Sequence, residues 1–530
     1  MVAPLAYGNQ LFSPQIHKKQ QDAQLSNFLM AKGISEAIRT SLGPHGMDKV
    51  ILSEEDILIT NDGATILKNA KFDHPAANML VDISRSQDSE VGDGTTTVVV
   101  LSGSFLGTCI GLIKKGLTYH RISEAFQISL KKAKEVILDI AIPVDLKDTK
   151  ALYHAAYTSL ESKVVSSHSY IFAPIAVESV VKITNLAHSN DIDLDNIRII
   201  KKIGGTIEQT ELLNGLGIEN PAVKSFGGPS KIIGGHIALI QFCLNSPSTD
   251  TDSVLVINNY SSMDKILREE RQYITSICRK IKFSGCNVLL VQKSILKNPI
   301  SDLALQILAQ MKVMVIKDIP REDIPFILKS LGCVPIVDIE SFSKEKLGYA
   351  DLVEEKNYCN EKIINFQGIK CAFQKTATIV IRSSNKILLD EAVRSFHDAL
   401  CVIRSLVRRR FLVGGGGSVE IEVSTILKQF SKSITGLDSY CINAFAGTLE
   451  IIPYTISENA GLEPIEIVSK LRKKHKEGNR LLGIDARKGM LRNMVEENVV
   501  TPLLVTTSIF NMSIEFAIQL LKIDNILDSQ

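Results

Sequence analysis

From residue 20 to about 140, apolar side chains recur mainly at helical spacing. The segment SNFLMAKGISEAIRTSLG keeps one apolar face until Gly43-Pro44, a pair that stops helices. EAFQISLKKAKEVILDI repeats the pattern through Phe126, Leu130, Ala133 and Ile137. Between them, Thr95–Ile113 is uncharged and long enough to cross a bilayer. It is rich in Thr, Ser and Gly, and its stripe of Val98, Leu101, Phe105, Cys109 and Leu112 predicts a helix buried in protein rather than in lipid. One extended hairpin interrupts the helices. DILITNDGATILKNA reads as two strands around the turn Asn61-Asp62-Gly63.

The rhythm changes near residue 200. Short apolar runs (SVLVINN, CNVLLVQ, VMVIKDI, VPIVDI) alternate with MDKILREERQYITSICRKIK, ISDLALQILAQM and REDIPFILKSLG, which have helical spacing. Such alternation predicts a mainly parallel α/β sheet in a separate domain at roughly residues 218–369. SFGGPS near its entrance and SPSTDTDS within it read as loops. From IRSSNKILLDEAVRSFHDALCVIRSLV the chain returns to long helices, up to about residue 520.

Composition narrows the picture. At 530 residues the chain is too long for one core, which predicts two to four domains. A net charge of +2 gives no argument for nucleic acid. Its best basic patches, Arg408–Arg410 and LRKKHKE, lack interleaved aromatics and read as solvated helix faces or ends. The nine cysteines are dispersed with no CxxC pair, which predicts reduced thiols in a cytosol-like compartment. MVAPLAYGNQLFSPQIHKKQQ lacks the pattern of a secretory leader and reads as a flexible arm.

The chemistry concentrates in EVGDGTTTVVV, where Asp93 stands between Gly92 and Gly94 at the start of the apolar helix. Glycines let a ligand approach the main chain, and a helix N-terminus attracts phosphate. An acid beside phosphate makes sense as a Mg2+ ligand; the alternative is an Asx turn capping a core helix. Three further stretches share the glycine-loop character: TSLGPHGMDK, NDG with Asp62, and Gly414–Gly417. Each alone is more often a turn than a site; together they read as walls of one phosphate pocket. No GxxxxGK[ST] occurs, and Val419 breaks a GxGxxG beginning at Gly414. Zinc spacing and a nucleophile elbow are missing too.

The ordered set TSLGPHGMDK, ITNDGATIL, GDGTTTVVVL, TSLESK, HDAL, GGGGSVE and SENAGLEP resembles the motifs of the group II chaperonins, from about residue 25 to LLKIDNIL. Longer stretches such as KKIGGTIEQTELLNG and VMVIKDIPREDIPFI narrow the likeness to one subunit type of the eukaryotic cytosolic chaperonin. The resemblance implies a multidomain fold. A mainly α-helical equatorial ATPase domain would take residues 1–148 and 404–530, and an α/β intermediate hinge domain 149–217 and 370–403. An α/β apical domain would take 218–369, with a helical lid protrusion in Phe242–Ser284. It also implies ATP and Mg2+, with K+ as an optional further cation. Asp93 would hold the metal. Gly94, Thr95, Thr96 and Thr97 would meet the phosphates, with Leu42, Gly43, Pro44, Gly46, Asn61 and Gly63 nearby. Gly415, Gly416, Gly483, Asp485 and Thr501 would lie towards ribose and base. Asp398 would activate the attacking water, supported by Asp62, and Lys163 would sense the γ-phosphate. Without the likeness, Asp398 and Lys163 read as ordinary surface charges.

Implied partners are paralogous subunits in two stacked eight-membered rings, and unfolded clients such as actin and tubulin, in the cytoplasm. Nucleic acid and membrane are not among them. His45 stands where the family's loop usually has Lys or Arg, Ser418 replaces an alanine, Val419 a proline, and Thr501 an acid or amide. These departures bear on affinity and rate. With Asp62, Asp93 and Asp398 present, a hydrolysing subunit is expected rather than an inert scaffold or a small-molecule enzyme.

Overall fold

The computed structural model describes residues 14–52, 57–146, 148–184, 191–245, 260–294, 298–358, 361–370 and 375–524. The expected N-terminal arm (in part), the SVLVINN strand, the SPSTDTDS loop, Cys359 and Cys371 lie outside the described residues. The seven described cysteines are free thiols. Two compact units emerge: Met1–Val177 with Leu186–Ile192 and Asp390–Gln530, and Glu178–Asn185 with Asp193–Leu389.

The first unit is mainly helical. Helix Thr95–Lys114 buries all five residues of its predicted stripe and packs on helices Pro14–Arg39 and Leu503–Lys522. Gly103 permits the first approach, because a Cβ there would lie 1.8 Å from Ser35 Oγ. Phe105 stacks on Phe445 with ring centroids 4.8 Å apart, and Phe126 meets Phe445 edge-on at 5.2 Å. By length and composition Thr95–Lys114 and Leu503–Lys522 could each cross a membrane; most of each is buried inside the protein.

The hairpin expected around Asn61-Asp62-Gly63 is displaced. Strand Ile57–Thr60 pairs backwards with Lys49–Leu52, Lys49 opposite Thr60, and the residues after Asp62 form helix Gly63–Asn69. The same Asp that suits a turn also suits an N-cap, and Asp62 accepts the Thr65 N–H at 3.0 Å. Burial of Ala64, Ile66 and Leu67 decides for helix.

LRKKHKE ends helix Pro464–Lys476 with Arg472, Lys473, Lys474 and Lys476 exposed, the solvated helix end expected, while two of its residues turn inward. Leu471 and His475 are buried. The His475 ring sits 2.7 Å from Glu422 Oε2 and 2.8 Å from the Leu482 carbonyl oxygen.

In the second unit, a six-stranded sheet runs in the order Leu216–Ile218, Glu361–Ile369, Gly348–Tyr358, Lys231–Ile240, Val288–Gln292, Met314–Ile319. The last three strands are parallel neighbours; the first four are antiparallel neighbours. The sheet is therefore mixed, not mainly parallel. Helices Tyr260–Phe283 and Asp302–Gln310 lie between the parallel strands in sequence and serve as crossovers. Gly348–Tyr358 and Glu361–Ile369 form a hairpin, which needs none. VPIVDI contributes only an isolated bridge, Ile336 to Ile240; Pro335 beside it has no N–H to give a ladder. A smaller three-stranded sheet joins Ile197–Ile203, Ala377–Ser383 and Glu211–Leu213.

Candidate functional site

The first unit contains a cavity of about 610 Å3, within the range of small-molecule sites. Two helix N-termini open onto it. Helix Thr95–Lys114 begins after Gly94, whose φ is 77°, and no side chain caps it. Helix Ser418–Ser433 begins after Gly417, whose φ is 76°, again without a side-chain cap. Amides of a first turn have no partner inside their own helix, so both ends present donors. A Cβ on Gly94 would lie 2.6 Å from Ile509 Cδ1, and one on Gly417 2.8 Å from Pro453 Cβ. Glycine is required at both on backbone and on space.

Neighbouring loops are fixed by their own hydrogen bonds. Gly415 donates to the Val499 carbonyl at 2.9 Å, and Gly416 accepts from the Ile484 N–H at 3.0 Å. Asn459 donates to the carbonyls of Leu42 at 2.8 Å and Arg39 at 3.2 Å, holding the Ser41–Pro44 loop. Strand Val500–Pro502 carries Thr501 opposite Val413.

Charge gathers at one end. The Lys163 ammonium lies 2.6 Å from Asp398 Oδ2 and 3.7 Å from Asp62 Oδ1, with all three side chains nearly buried. Asp62 also accepts from the hydroxyls of Thr65 at 2.7 Å and Thr95 at 2.8 Å. Burial alone would push the Asp62 carboxyl up. The Lys163 charge and these hydrogen bonds outweigh it and hold the group below the usual carboxylate range. For Asp398, burial dominates and pushes the carboxyl well up; Asp62 adds to this and Lys163 opposes it. Lys163 is itself buried, which disfavours its charge, but Asp398, Asp62 and Asp93 together keep it protonated. Asp62 and Asp398 thus share one ammonium with Asp93 close enough to be felt, and a further cation there would favour ionised Asp398. Among the described residues no group of three His, Cys, Asp or Glu side chains could hold a metal. A lone Asp93 fits Mg2+, which keeps waters and substrate oxygens rather than an all-protein cage.

Of the residues singled out in sequence, Leu42, Gly43, Pro44, Asn61, Asp93, Gly94, Thr95, Thr96, Thr97, Lys163, Gly415, Gly416, Asp485 and Thr501 line the cavity. Asp62 and Asp398 lie behind Lys163. Gly46, Gly63 and Gly483 make room instead. Their Cβ atoms would come within 2.4 Å of the Ser41 carbonyl, 2.9 Å of the Thr96 backbone and 2.8 Å of the Gly415 carbonyl. Among the departures, His45 is exposed, Ser418 donates to the Gly414 carbonyl at 3.0 Å, and Val419 lines the cavity.

Sequence reading missed several contributors. Tyr153, His154 and Tyr157 of helix Thr149–Glu161 form part of the wall, Tyr153 stacked on Tyr157 at 5.8 Å. Their signal was an aromatic pair at i and i+4 just before TSLESK. Glu420, Glu161 and Arg487 also line it, the last two paired at 2.7 Å. Ile452, Ile456, Val505 and Ile509 give it an apolar side. Buried Thr60 and Glu391 and half-buried Arg394 form a relay behind Asp62: Thr60 donates to Glu391 at 3.1 Å and accepts from the Asp62 N–H at 3.1 Å, and Arg394 pairs with Glu391.

The chain as a whole is similar in sequence to known proteins. A family model described as the TCP-1/cpn60 chaperonin family matches residues 34–530. T-complex protein 1 subunit delta of Dictyostelium discoideum is 51% identical over 510 residues, which cover 96% of this chain and 95% of the relative. The Schizosaccharomyces pombe protein of that name is 50% identical, covering 97% of both chains. The Homo sapiens one is 48% identical, covering 97% and 96%.

Proposed function

The chain belongs to the TCP-1/cpn60 chaperonin family, and from that premise we propose that it is an ATP-hydrolysing delta-type subunit of a hetero-oligomeric cytosolic chaperonin. The observation that carries the reading is the Lys163 ammonium set between Asp62 and Asp398, in a cavity also lined by Asp93 and the uncapped N-terminus at Thr95–Thr97.

The triphosphate lies at the Thr95–Thr97 end, where amides and hydroxyls donate and Lys163 supplies positive charge. Ribose and base lie towards Gly415, Gly416, Asp485 and Thr501. Bound at Asp93, Mg2+ supplies neutralisation of phosphate charge. Asp398 accepts the proton of the attacking water; its raised affinity for a proton suits a base once added cations favour its ionised form. Asp62, ionised and capping its helix, holds Lys163 and Thr95 in place. Residues 1–148 and 404–530 form the equatorial domain, 149–217 and 370–403 the hinge, and 218–369 the client-facing domain with its lid protrusion. ATP-driven closure of paired eight-membered rings then encloses unfolded clients such as actin and tubulin.

The test is the native particle purified through this chain, with Asp398→Asn introduced in this chain alone. We expect co-purifying paralogous subunits, and turnover at this subunit's site reduced about 100-fold or more with nucleotide still bound. An unchanged rate assigned to this subunit would leave it a binding scaffold, and a solitary chain would remove the ring.

A further inference from the structure

The loop that carries Asp93 is held by a residue that the mechanism above does not use. Gln87, on helix Pro75–Glu90, is fully buried. Its Nε2 donates to the Asp93 carbonyl at 2.8 Å, and its Oε1 accepts from the Ser508 hydroxyl at 2.7 Å. This orientation is forced. A backbone carbonyl can only accept, so the amide nitrogen must face Asp93 and the amide oxygen must face Ser508, which then donates. The Gln87 main chain holds the same loop, its carbonyl accepting the N–H groups of Val91 at 3.0 Å and Gly92 at 3.2 Å. On the far side the loop has no slack. Gly92 has φ 76° and Gly94 has φ 77°, and a Cβ on Gly92 would lie 2.4 Å from Cys401 Cβ. Arg404 donates to the Glu90 carbonyl at 3.0 Å just upstream.

We infer that Gln87 is a positioning residue for the metal-binding carboxylate. By fixing the Asp93 carbonyl against helix Leu503–Lys522 through Ser508, it sets where the Asp93 side chain can meet a divalent cation. The inference rests on the ATP–magnesium reading above. Partners one step behind a metal ligand tune affinity for the ion. Gln87 would do so through the backbone of the ligand rather than through its carboxylate, whose Oδ1 accepts the Gly94 N–H at 2.7 Å.

The experiment uses the native particle carrying Gln87→Met in this chain, a change close in volume and neutral in charge. Photolabelling of this chain by 8-azido-ATP is titrated against free Mg2+, with label located by mass spectrometry. The free Mg2+ for half-maximal labelling should rise roughly 10-fold or more, with a smaller change in labelling under chelator. Ser508→Ala, which leaves Gln87 in place but removes its far partner, should shift the titration in the same direction by less. If Gln87→Met does not enter the particle, the Ser508→Ala titration decides. Variants that assemble and titrate as wild type overturn the inference while leaving the ATP–magnesium reading intact. Wild-type labelling that ignores Mg2+ overturns that reading, and this inference with it.

Discussion

The two helix starts that open on the cavity, Gly94–Thr97 and Gly417–Glu420, share a backbone and differ in chemistry. Both begin after a left-handed glycine at nearly the same φ, and neither has a side-chain cap. The first turn of one holds three threonines and no acid; the first turn of the other holds Glu420. Burial pushes the Glu420 carboxyl up, and Asp485 lines the same cavity. To the extent that it is ionised, an acid on the first turn cancels part of a helix end's positive potential. The pair therefore teaches that uncapped amides alone do not choose the phosphate end. The charges set around them do, and Lys163 belongs to the first.

The most severe way to break this difference is Lys163→Met. Removing the ammonium leaves Asp62 and Asp398 buried without their shared cation, and loss of one partner from a buried pair costs about 3–5 kcal/mol. Thermal or denaturant melts should show that loss, with Asp398→Asn in the same chain restoring part of it. Full additivity of the two changes would mean that the pair is not coupled.

Exchanging the two chemistries is the sharper test. Thr97→Glu puts an acid at the position of the first helix that corresponds to Glu420 in the second. Like-charge contact costs several kcal/mol, so ATP affinity at this subunit should fall about 100-fold. Glu420→Gln should change it less than about 5-fold, because only a partial helix-end interaction is altered. Equal losses in a nucleotide-binding titration would erase the distinction between the ends.

The smallest effect is expected from pH, in the nucleotide-free particle. Asp398, with its affinity for protons raised, costs stability above its folded pKa and returns it as pH falls through that value. Asp62, with its affinity lowered, contributes stability above about pH 4, the ordinary carboxylate value, and loses it only below that. As pH falls through the raised folded pKa of Asp398, the melting temperature of the nucleotide-free particle should therefore rise slightly, and turnover measured separately with nucleotide should decline. Asp398→Asn should shrink the rise to what Glu420, Glu391 and Asp88, also raised by burial, contribute; an undiminished rise would assign it to those groups.

How legible all this was in sequence differs by residue. GDGTTTVVV announced itself because glycines, hydroxyls and a helical stripe are local signals that burial later reinforced. Asn61-Asp62-Gly63 misled because a turn and an N-cap ask for the same residues, and burial of the following stretch decides between them. The antiparallel half of the large sheet rests on the pairing of Gly348–Tyr358 with Lys231–Ile240, a contact between distant segments that no local window contains. Gln87 gave no signal at all. A polar residue in SRSQDSE reads as solvent-facing, and only tertiary packing takes it fully out of water. Asp398 stood out only through the likeness of HDAL to a known motif, since its environment is made by residues hundreds of positions away.

The bond from Ser508 to Gln87 joins residues 421 positions apart. At roughly 5–20 residues per second on the ribosome, Gln87 waits about 20–80 s for its partner to be made. Helix Leu503–Lys522, part of the bed on which Thr95–Lys114 packs, arrives equally late. During that interval the uncharged helix has incomplete cover, and the cavity lacks the wall given by Val505 and Ile509. Nucleotide therefore cannot rescue the nascent chain before Val505 and Ile509 are made, because its pocket is unfinished until then. Between those moments the emerging polypeptide exposes the kind of surface that favours aggregation, and its yield in a cell depends on how long something else keeps that surface covered.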